Sequence, residues 1–335
     1  MTKDLWSVAL TFRKPKSVSG FASPRPLFSF DFILLKIARE RANRYLLGMP
    51  ELPEVETVRR GLAQAMEGRR IEEVEVRRRD LRFPVPEDFA DRLRGRTLIT
   101  LGRRAKYLVG TFDDDTVLLA HLGMSGRMVI ETEEDREAPG RFVRGIAAHR
   151  AHEHIVFRVG NGTVIRFSDP RRFGLMLLTD IDAFPSHRLI RHLGPEPIGK
   201  DFTGPVLAAR LKGRKTSIKS ALLDQRVVAG VGNIYACEAL FDAGISPRRS
   251  AATVQGGRAG RLAEAVRAVL ARAIKVGGSS LRDHVAPTGE LGYFQHSFSV
   301  YGREGKPCPD CDCGKSIKRI TQSGRSTFLC AKRQR

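Results

Sequence analysis

Residues capable of acid–base chemistry are concentrated around one proline. Glu51 and Glu54 follow Pro50 closely, and each is either a general acid or only a negative charge at the start of a helix. Lys106, in the basic segment 103–107, is either a catalytic amine or a phosphate contact, although an isolated lysine is usually a surface residue. These residue types are compatible with catalysis near Pro50, and they are equally compatible with a structural role.

Four of the five cysteines lie between Cys308 and Cys330. Such a local cluster favours a metal site in a reducing compartment over a scaffold of disulfides. A zinc ribbon needs two Cys-x-x-Cys pairs, but Arg333 stands where the second pair needs its last cysteine. Either Cys313 completes the set Cys308, Cys311, Cys313 and Cys330, or three thiolates bind a metal weakly, or the hairpin stands without metal.

A glycine-rich turn, residues 228–235, joins two predicted helices. Asn233 is a suitable N-cap, and the N–H groups at the start of the following helix suit a phosphate. Lys215 and Lys219 lie upstream and would add charge-assisted contacts. The alternative is an ordinary corner in an α-helical core, where Cys237 is a buried apolar residue.

Another basic turn, residues 169–174, carries Arg171 and Phe173. A guanidinium beside an aromatic ring could clamp a phosphate while the ring wedges into a stack of bases. Taken alone, the segment fits a solvated basic turn equally well. Its meaning therefore depends on the charge of the whole chain.

The whole chain is strongly basic and long enough for about two domains. Its 335 residues include 58 Lys and Arg against 37 Asp and Glu, a net charge of +21. That charge favours nucleic acid or an anionic membrane surface as partner, and argues against a small-molecule binder without a polyanionic partner. A hydrophobic fraction of 41% argues against a disordered basic tail. There is no apolar run of about eighteen residues that could span a membrane.

The apolar pattern predicts one helix followed by an antiparallel sandwich. Val55, Val58, Leu62 and Met66 recur at helical spacing after Pro53, which suits a first helical turn. Short β-rich runs separated by turns then favour a sandwich. The predicted strands are 71–76, 97–101, 107–112, 116–121, 127–130, 155–159, 163–168 and 174–179.

A Pro- and Gly-containing linker, 184–203, separates this half from a helical one. The predicted helices are 204–211, 218–223, 233–243 and 261–276. Residues 131–150 are predicted to form a mobile loop. The basic, acid-poor residues 1–48 are expected to be an extension upstream of a native start at Met49, with an organelle-targeting leader as the alternative.

Seven short segments together resemble the formamidopyrimidine-DNA glycosylase family, bacterial enzymes that repair 8-oxoguanine. They are MPELPEVET (49–57), RRAKY (103–107), HLGMSG (121–126), DPRRFG (169–174), GVGNIY (230–235), VYGR (300–303) and GRSTF (324–328). No single segment is specific, but they cover the chain from Met49 onwards in family order. The sister endonuclease VIII family is less similar, because Gly is normal there at the position of Leu52.

The resemblance implies an α+β multidomain protein. It implies an N-terminal β-sandwich with flanking helices over 49–183, and a C-terminal helix-two-turn-helix domain over 204–295 with a lesion-capping loop at 277–293. A β-hairpin zinc finger over 296–335 follows. The implied partner is double-stranded DNA containing oxidised purines or abasic sites, bound by a monomer in the bacterial cytoplasm, associated with the nucleoid and without a membrane.

The resemblance also implies the chemistry. Pro50 becomes N-terminal and attacks the sugar as a secondary amine, with Glu51 as acid–base partner and Lys106 as proton donor. Arg325 binds phosphate and assists the last of two eliminations. Removal of a damaged base would thus be followed by strand cleavage through a proline Schiff base.

The resemblance implies two further groups of residues and one metal ion. Met124, Arg171 and Phe173 match residues that fill the space left by a flipped-out lesion. His152, Arg214, Lys215, Lys219 and Asn233 match contacts to the DNA backbone. One Zn²⁺ per chain is implied, and Arg333 at the fourth-cysteine position puts its full affinity in question.

Two rival functions stay open. A non-catalytic DNA- or RNA-binding protein would explain the charge, the glycine turn and the cysteines, but not the segment around Pro50. An endonuclease VIII-type enzyme for oxidised pyrimidines would share the chemistry, and only a comparison of lesion substrates separates it.

Overall fold

The structure, a computed structural model, describes residues 50–132, 152–279, 293–311 and 314–335. Its first element is the helix α1, Leu52–Met66, which confirms the predicted helix. Val55, Val58 and Leu62 form its buried face, as their spacing requires. The helix ends before Gly68, whose φ of 72° suits the left-handed turn that follows a helix.

Two four-stranded antiparallel sheets follow, which confirms the predicted sandwich. One sheet has the order β1-β6-β7-β5 and the other the order β2-β3-β4-β8. Apolar side chains from both sheets and from α1 share one buried core. The strands are β1 Ile71–Val76, β2 Leu98–Arg104, β3 Tyr107–Phe112, β4 Thr116–His121, β5 Arg127–Glu131, β6 Glu153–Val159, β7 Thr163–Ser168 and β8 Leu175–Asp180.

Strand β2 runs three residues beyond its predicted end. Arg104 pairs directly with Tyr107, so a tight turn of two residues joins β2 to β3. Ala105 adopts a φ of 54° there, a conformation that neither composition nor periodicity signals. A five-residue helix, α2 Phe89–Leu93, was not predicted either.

The second half is helical as predicted, with small differences at the helix ends. Helix α5 ends at Asp242, one residue earlier than predicted, and α6 begins at Gly257, four residues earlier. Phe202, Leu207 and Leu211 are fully buried in this half. The helices are α3 Gly204–Leu211, α4 Ile218–Leu223, α5 Asn233–Asp242 and α6 Gly257–Lys275.

A two-stranded hairpin, β9 Lys318–Gln322 and β10 Arg325–Leu329, lies near the end of the chain and contacts α5. The described residues include no helix long and apolar enough to cross a membrane. Several predictions fall outside the described residues: the whole of 1–49, most of the loop 131–150, Cys313, and most of the capping loop 277–293.

Candidate active site

The glycine turn joins the start of α1 to the start of α5. The backbone N–H of Leu52 donates to the carbonyl of Gly230 at 3.1 Å. Gly230 has a φ of 82°, and a Cβ there would lie 2.6 Å from Leu52 Cδ1. Gln225 stabilises the turn, accepting from the N–H of Gly230 at 2.8 Å and donating to the carbonyl of Val231 at 2.9 Å. Glycine is required here because the two segments touch.

The Glu51 carboxylate occupies the N-terminus of α5. Its Oε1 accepts from the N–H of Ile234 at 2.9 Å, and Oε2 lies 3.5 Å from the nitrogen of Tyr235. The prediction that these N–H groups are open to a phosphate is therefore wrong. A carboxyl side chain from the N-terminal half of the protein already accepts from them at the positive end of the helix dipole.

The predicted N-cap is also wrong by one residue. Gly232 is the N-cap of α5, and Asn233 is the first helical residue. The Asn233 amide instead donates to the carbonyl of Ser326 at 3.0 Å and to the Tyr301 hydroxyl at 3.3 Å. Asn233 thus connects α5 to the hairpin that carries Arg325, and its predicted contact with DNA stays a prediction.

Burial changes the acidity of Glu51. Only 3% of the residue is exposed. Burial raises its pKa from 4.5 to about 7, against the lowering effects of Lys106 and of the two N–H groups of α5; the neighbouring Glu54 raises it further. Near neutral pH this carboxyl is therefore present in both its acid and base forms, as a group that must give and take protons requires.

Glu54 fixes the backbone around Pro50. Its Oε2 accepts from the N–H of Glu51 at 3.0 Å, and its Oε1 accepts from the Tyr235 hydroxyl at 2.6 Å. Oε1 also accepts from the N–H and the hydroxyl of Ser279, at 2.8 and 2.9 Å. Sequence reasoning did not find Tyr235 or Ser279, because their partner lies about two hundred residues away in the chain.

Lys106 is buried near Glu51. Burial lowers its pKa, whereas Glu51 and Glu54 raise it and Arg325 lowers it further, so these charged groups act on one another directly. The turn that carries Lys106 is held by Glu196, which accepts from the N–H of Ala105 at 2.6 Å. The structure therefore brings together Glu51, Lys106 and Arg325, three of the four residues predicted to be catalytic. The fourth, Pro50, is buried next to Glu51.

Glu196 was missed by sequence reasoning, which assigned its segment to a linker. It forms ion pairs with Arg103 at 2.8 Å and with Arg104 at 2.7 Å, which are the two residues before the turn. Arg103 is almost buried and also pairs with Glu56 of α1 at 3.1 Å. One carboxylate thus holds three consecutive residues just before Lys106.

Lys219 holds the hairpin that carries Arg325. Its ammonium donates to Thr327 Oγ1 at 2.7 Å and to the carbonyl of Ser326 at 3.0 Å, and the residue is 1% exposed. Arg325 itself is exposed at the start of β10. Lys219 was predicted to contact the DNA backbone; in the structure its side chain supports Arg325.

The three residues predicted to fill the space left by a flipped-out lesion lie on two adjoining turns. Phe173 is 44% exposed, and the guanidinium carbon of Arg171 lies 4.8 Å from its ring centroid. Met124 is partly exposed on the other turn. The turns touch closely: a Cβ at Gly123 would lie 2.4 Å from the nitrogen of Gly174.

Asp169 holds these two turns together and was not singled out from the sequence. It is fully buried, and its Oδ1 accepts from the Ser125 hydroxyl at 2.5 Å and from the N–H of Arg171 at 3.3 Å. Its Oδ2 accepts from the N–H of Gly174 at 2.7 Å. A buried carboxylate with several donors fixes loop geometry, and this one fixes the backbone that carries the exposed Phe173 and Arg171 side chains.

The remaining predicted DNA contacts lie at the surface. His152 and Lys215 are exposed. Arg214 is half-buried and pairs with Asp224 at 3.0 Å. Their contact with DNA stays a prediction.

Three of the predicted metal ligands converge. The sulfur atoms of Cys308, Cys311 and Cys330 all lie within 4.8 Å of one another. Burial opposes ionisation of Cys330, but hydrogen bonds from the backbone of Arg333 and Lys332 and from the other two thiols lower its pKa to about 7. Thiolates at this spacing fit a soft divalent ion such as zinc, so the described residues supply three suitable ligands.

Comparison with known proteins covers both halves. The family model of the formamidopyrimidine-DNA glycosylase N-terminal domain matches residues 49–176, and that of the H2TH domain of the same enzyme matches residues 193–285. A formamidopyrimidine-DNA glycosylase of Rhodopseudomonas palustris is 56% identical over 293 residues, which are 86% of this chain and all of the relative. One of Brucella ovis is 54% identical over 289 residues, covering 84% of this chain and 99% of the relative.

Solved structures agree with these relatives. The MutM (Fpg) protein of Thermus thermophilus has a TM-score of 0.72 at 37% identity, over 85% of this chain and 98% of that one. A Lactococcus lactis Fpg mutant bound to Fapy-dG DNA has a TM-score of 0.73 at 34% identity, over 85% and 99%. Because the models of both domains match and these relatives share more than half of the aligned residues, this chain belongs to the formamidopyrimidine-DNA glycosylase family.

Proposed function

We propose that this protein removes oxidised purines, namely 8-oxoguanine and formamidopyrimidines, from duplex DNA and then cleaves the strand as a lyase. The observation that carries the proposal is the buried carboxyl of Glu51, fixed beside Pro50, with a pKa of about 7 and charge coupling to Lys106. Several solved relatives support it, since they hold DNA with Fapy-dG, with carbocyclic 8-oxo-G or with an abasic site.

The nucleophile in this proposal is the nitrogen of Pro50. In the 335-residue chain that nitrogen is part of a peptide bond and has no lone pair to donate. Released at an N-terminus, it becomes a secondary amine, and α-amino groups titrate near 8, about two units below lysine. The family match begins at residue 49, and 86% of this chain spans the whole Rhodopseudomonas relative, which supports a mature start at Pro50.

Base removal follows from such an amine. The nitrogen forms a bond to C1′ of the nucleoside while the C1′–base bond breaks, and the departing base takes up a proton. The nitrogen then loses its proton, and its lone pair forms the C=N bond of an iminium as the bond between C1′ and the ring oxygen breaks and that oxygen takes a proton. Protonated Glu51 is the proposed donor at the sugar, since its raised pKa keeps part of it in the acid form near pH 7.

Strand cleavage uses the iminium as an electron sink. A proton is lost from C2′ and the 3′ phosphate leaves; a second elimination, in which a proton is lost from C4′, then expels the 5′ phosphate. Lys106, whose pKa is lowered by burial, is the proposed proton donor near the attacked carbon. Arg325, exposed on β10 and close enough to act on Lys106, is the proposed phosphate ligand.

Recognition of the lesion is assigned to the two turns held by Asp169. We propose that Met124, Arg171 and Phe173 enter the DNA duplex at the position from which the damaged nucleotide has been flipped out. An exposed aromatic ring with a guanidinium over it suits a gap in a base stack, since both groups stack on bases. Residues 49–335 hold 49 Lys and Arg against 34 Asp and Glu, and their net charge of +15 would draw the protein to the phosphate backbone.

We also propose one zinc ion per chain. Cys308, Cys311 and Cys330 would hold it, with Cys313 as the proposed fourth ligand. The ion would supply a structural crosslink for the hairpin and takes no part in the reaction at the sugar.

The test compares two forms of the chain on the same DNA. A form that starts at Pro50 should release 8-oxoguanine and formamidopyrimidines from a duplex and leave phosphates at both cut ends, whereas the 335-residue form should bind without releasing base. Tight duplex binding without cleavage by the Pro50 form would favour a non-catalytic binding protein. A preference for oxidised pyrimidines over 8-oxoguanine would instead favour endonuclease VIII-type specificity.

A further inference from the structure

Arg333 joins the two parts of the finger. Its guanidinium forms an ion pair with Asp310, which lies between Cys308 and Cys311. Arg333 itself lies three residues after Cys330. The ion pair therefore connects the same two segments that a metal ion bound by these thiols would connect.

The same guanidinium also binds the C-terminal end of α5. Its Nε donates to the carbonyl of Phe241 at 3.1 Å, its Nη2 lies 3.5 Å from the carbonyl oxygen of Asp242, and its central carbon lies 4.7 Å from the Phe241 ring centroid. The last carbonyls of a helix have no partner within the helix and carry partial negative charge, so a cation is favoured there. Helix α5 is thus bound by Glu51 at its start and by Arg333 at its end.

The residues after Arg333 extend this contact. The Gln334 side chain is buried; it accepts from the N–H of Cys330 at 2.9 Å and donates to the carbonyl of Ile245 at 3.1 Å. The N–H of Arg335 donates to the carbonyl of Gly244 at 3.1 Å. The last residues of the chain therefore lie against the loop that follows α5.

We propose that Arg333 is a positioning residue that takes over the crosslinking role of the cysteine that the second Cys-x-x-Cys pair lacks at this position. Its permanently charged, planar fork can bind a carboxylate and two carbonyls at once, which gives one side chain the reach of a crosslink. Arg333 holds the hairpin, and with it Arg325, against α5 both with and without a metal ion. This inference concerns the finger alone and does not depend on the lyase chemistry.

The experiment measures opening of the hairpin, with no DNA present. Full-length protein and its Arg333→Ala variant are each prepared with one equivalent of Zn²⁺ or stripped by a chelator, and metal content is measured for every sample. Trypsin cleavage after Lys318 and Arg319, both exposed on β9, reports how often the hairpin opens. Thermal unfolding of each sample shows whether the remaining protein is folded.

The proposal predicts that the effect of Arg333→Ala on the rate of trypsin cleavage depends on whether zinc is bound. Removing zinc should change the cleavage rate of the wild type by less than about threefold, whereas stripped Arg333→Ala should be cut about tenfold faster than stripped wild type. Zinc should return Arg333→Ala close to the wild-type rate. Asp310→Asn should behave like a weaker Arg333→Ala, because it keeps the contacts to Phe241 and Asp242.

Two results would overturn the proposal. If stripped wild type is cut as fast as stripped Arg333→Ala, the metal alone holds the hairpin. If Arg333→Ala is cut faster by the same factor with and without zinc, the arginine contributes only general stability. The variant Arg333→Cys supplies the opposite control: it should retain zinc against higher chelator concentrations than wild type, and lose its hairpin protection when stripped.

Discussion

The Glu51 carboxylate lies 2.9 Å from the backbone nitrogen of Ile234, which joins the N-terminal segment to the first turn of α5. One side chain thereby satisfies a helix terminus and lies next to the proposed nucleophile. The charge of Lys106 acts on the same carboxyl and lowers its pKa.

Replacing Glu51 by Gln should separate its chemical role from its structural one. Glutamine keeps an oxygen that can accept from Ile234 but cannot donate and recover an acid proton. In the Pro50-initiated form, Glu51→Gln should lower the single-turnover rate of 8-oxoguanine release by about 10²- to 10⁴-fold. Duplex affinity should change little. An excision rate within a factor of about two of wild type would remove Glu51 from the chemistry.

The stability of the 335-residue protein, in which Pro50 carries no charge, should depend on pH through the same group. The pKa of Glu51 is raised from 4.5 to about 7, so the folded protein favours the protonated carboxyl. The resulting stability is fully present below pH 4.5 and is lost as pH rises through 7. Between these limits the wild type should lose about 3 kcal/mol relative to Glu51→Gln.

Denaturant unfolding of the wild type and of Glu51→Gln measures this difference in the free energy of unfolding. The pH series runs from 4.5, the ordinary pKa of the group, to about 8. The variant is the control because it lacks the titrating group and shares every other ionisable residue. Parallel curves for the two proteins would mean that the carboxyl ionises normally in the fold.

Gly232 should be irreplaceable because of its contact with Glu51. A Cβ there would lie 2.2 Å from Glu51 Cδ, so Gly232→Ala must push the carboxylate away from α5. We expect excision to fall about 100-fold, since small misplacements of catalytic groups are costly. Gly260→Ala is the matched control: a Cβ there meets no atom within 4 Å, and alanine inside helix α6 should stabilise by about 0.5–1 kcal/mol. Equal activities of the two variants would contradict the close packing.

Glu196 should matter because it holds the turn before Lys106. Glu196→Ala removes acceptors from Arg103, Arg104 and the N–H of Ala105. The free energy of unfolding should fall by about 1–3 kcal/mol, and excision should slow by at least about tenfold as Lys106 loses its position. Glu304→Ala is the control, because its pair with Arg319 at 3.8 Å is exposed and should contribute less than about 1 kcal/mol. A stable but fully active Glu196→Ala would exclude this role.

Local patterns predicted most of the elements. The strands β1, β3, β4 and β7 and the helices α3 and α4 have the predicted bounds, because periodicity and turn residues act over a few neighbours. The N-terminus of α5 was predicted incorrectly because its partner, Glu51, is 183 residues away. Without that contact, a free helix end beside lysines was the reasonable expectation.

The supporting residues of the site were the hardest to predict. Asp169 and Glu196 look like ordinary acidic residues in turns, and only the folded chain shows the N–H groups that they accept from. Lys219 was predicted only as a cation for phosphate, and its burial against Thr327 had no signal in the sequence. The proline–glutamate opening was recognised from a short motif, whereas the contacts that hold it depend on three-dimensional packing.

Trapping the covalent intermediate tests the central claim most directly. The Pro50-initiated protein is mixed with an 8-oxoguanine duplex and sodium borohydride, and the crosslinked peptide is identified by mass spectrometry. The proposed chemistry predicts a reduced bond between the Pro50 nitrogen and the sugar, and no such product from the 335-residue form. Absence of the crosslink in an active preparation, or its formation on Lys106 instead, would contradict the account.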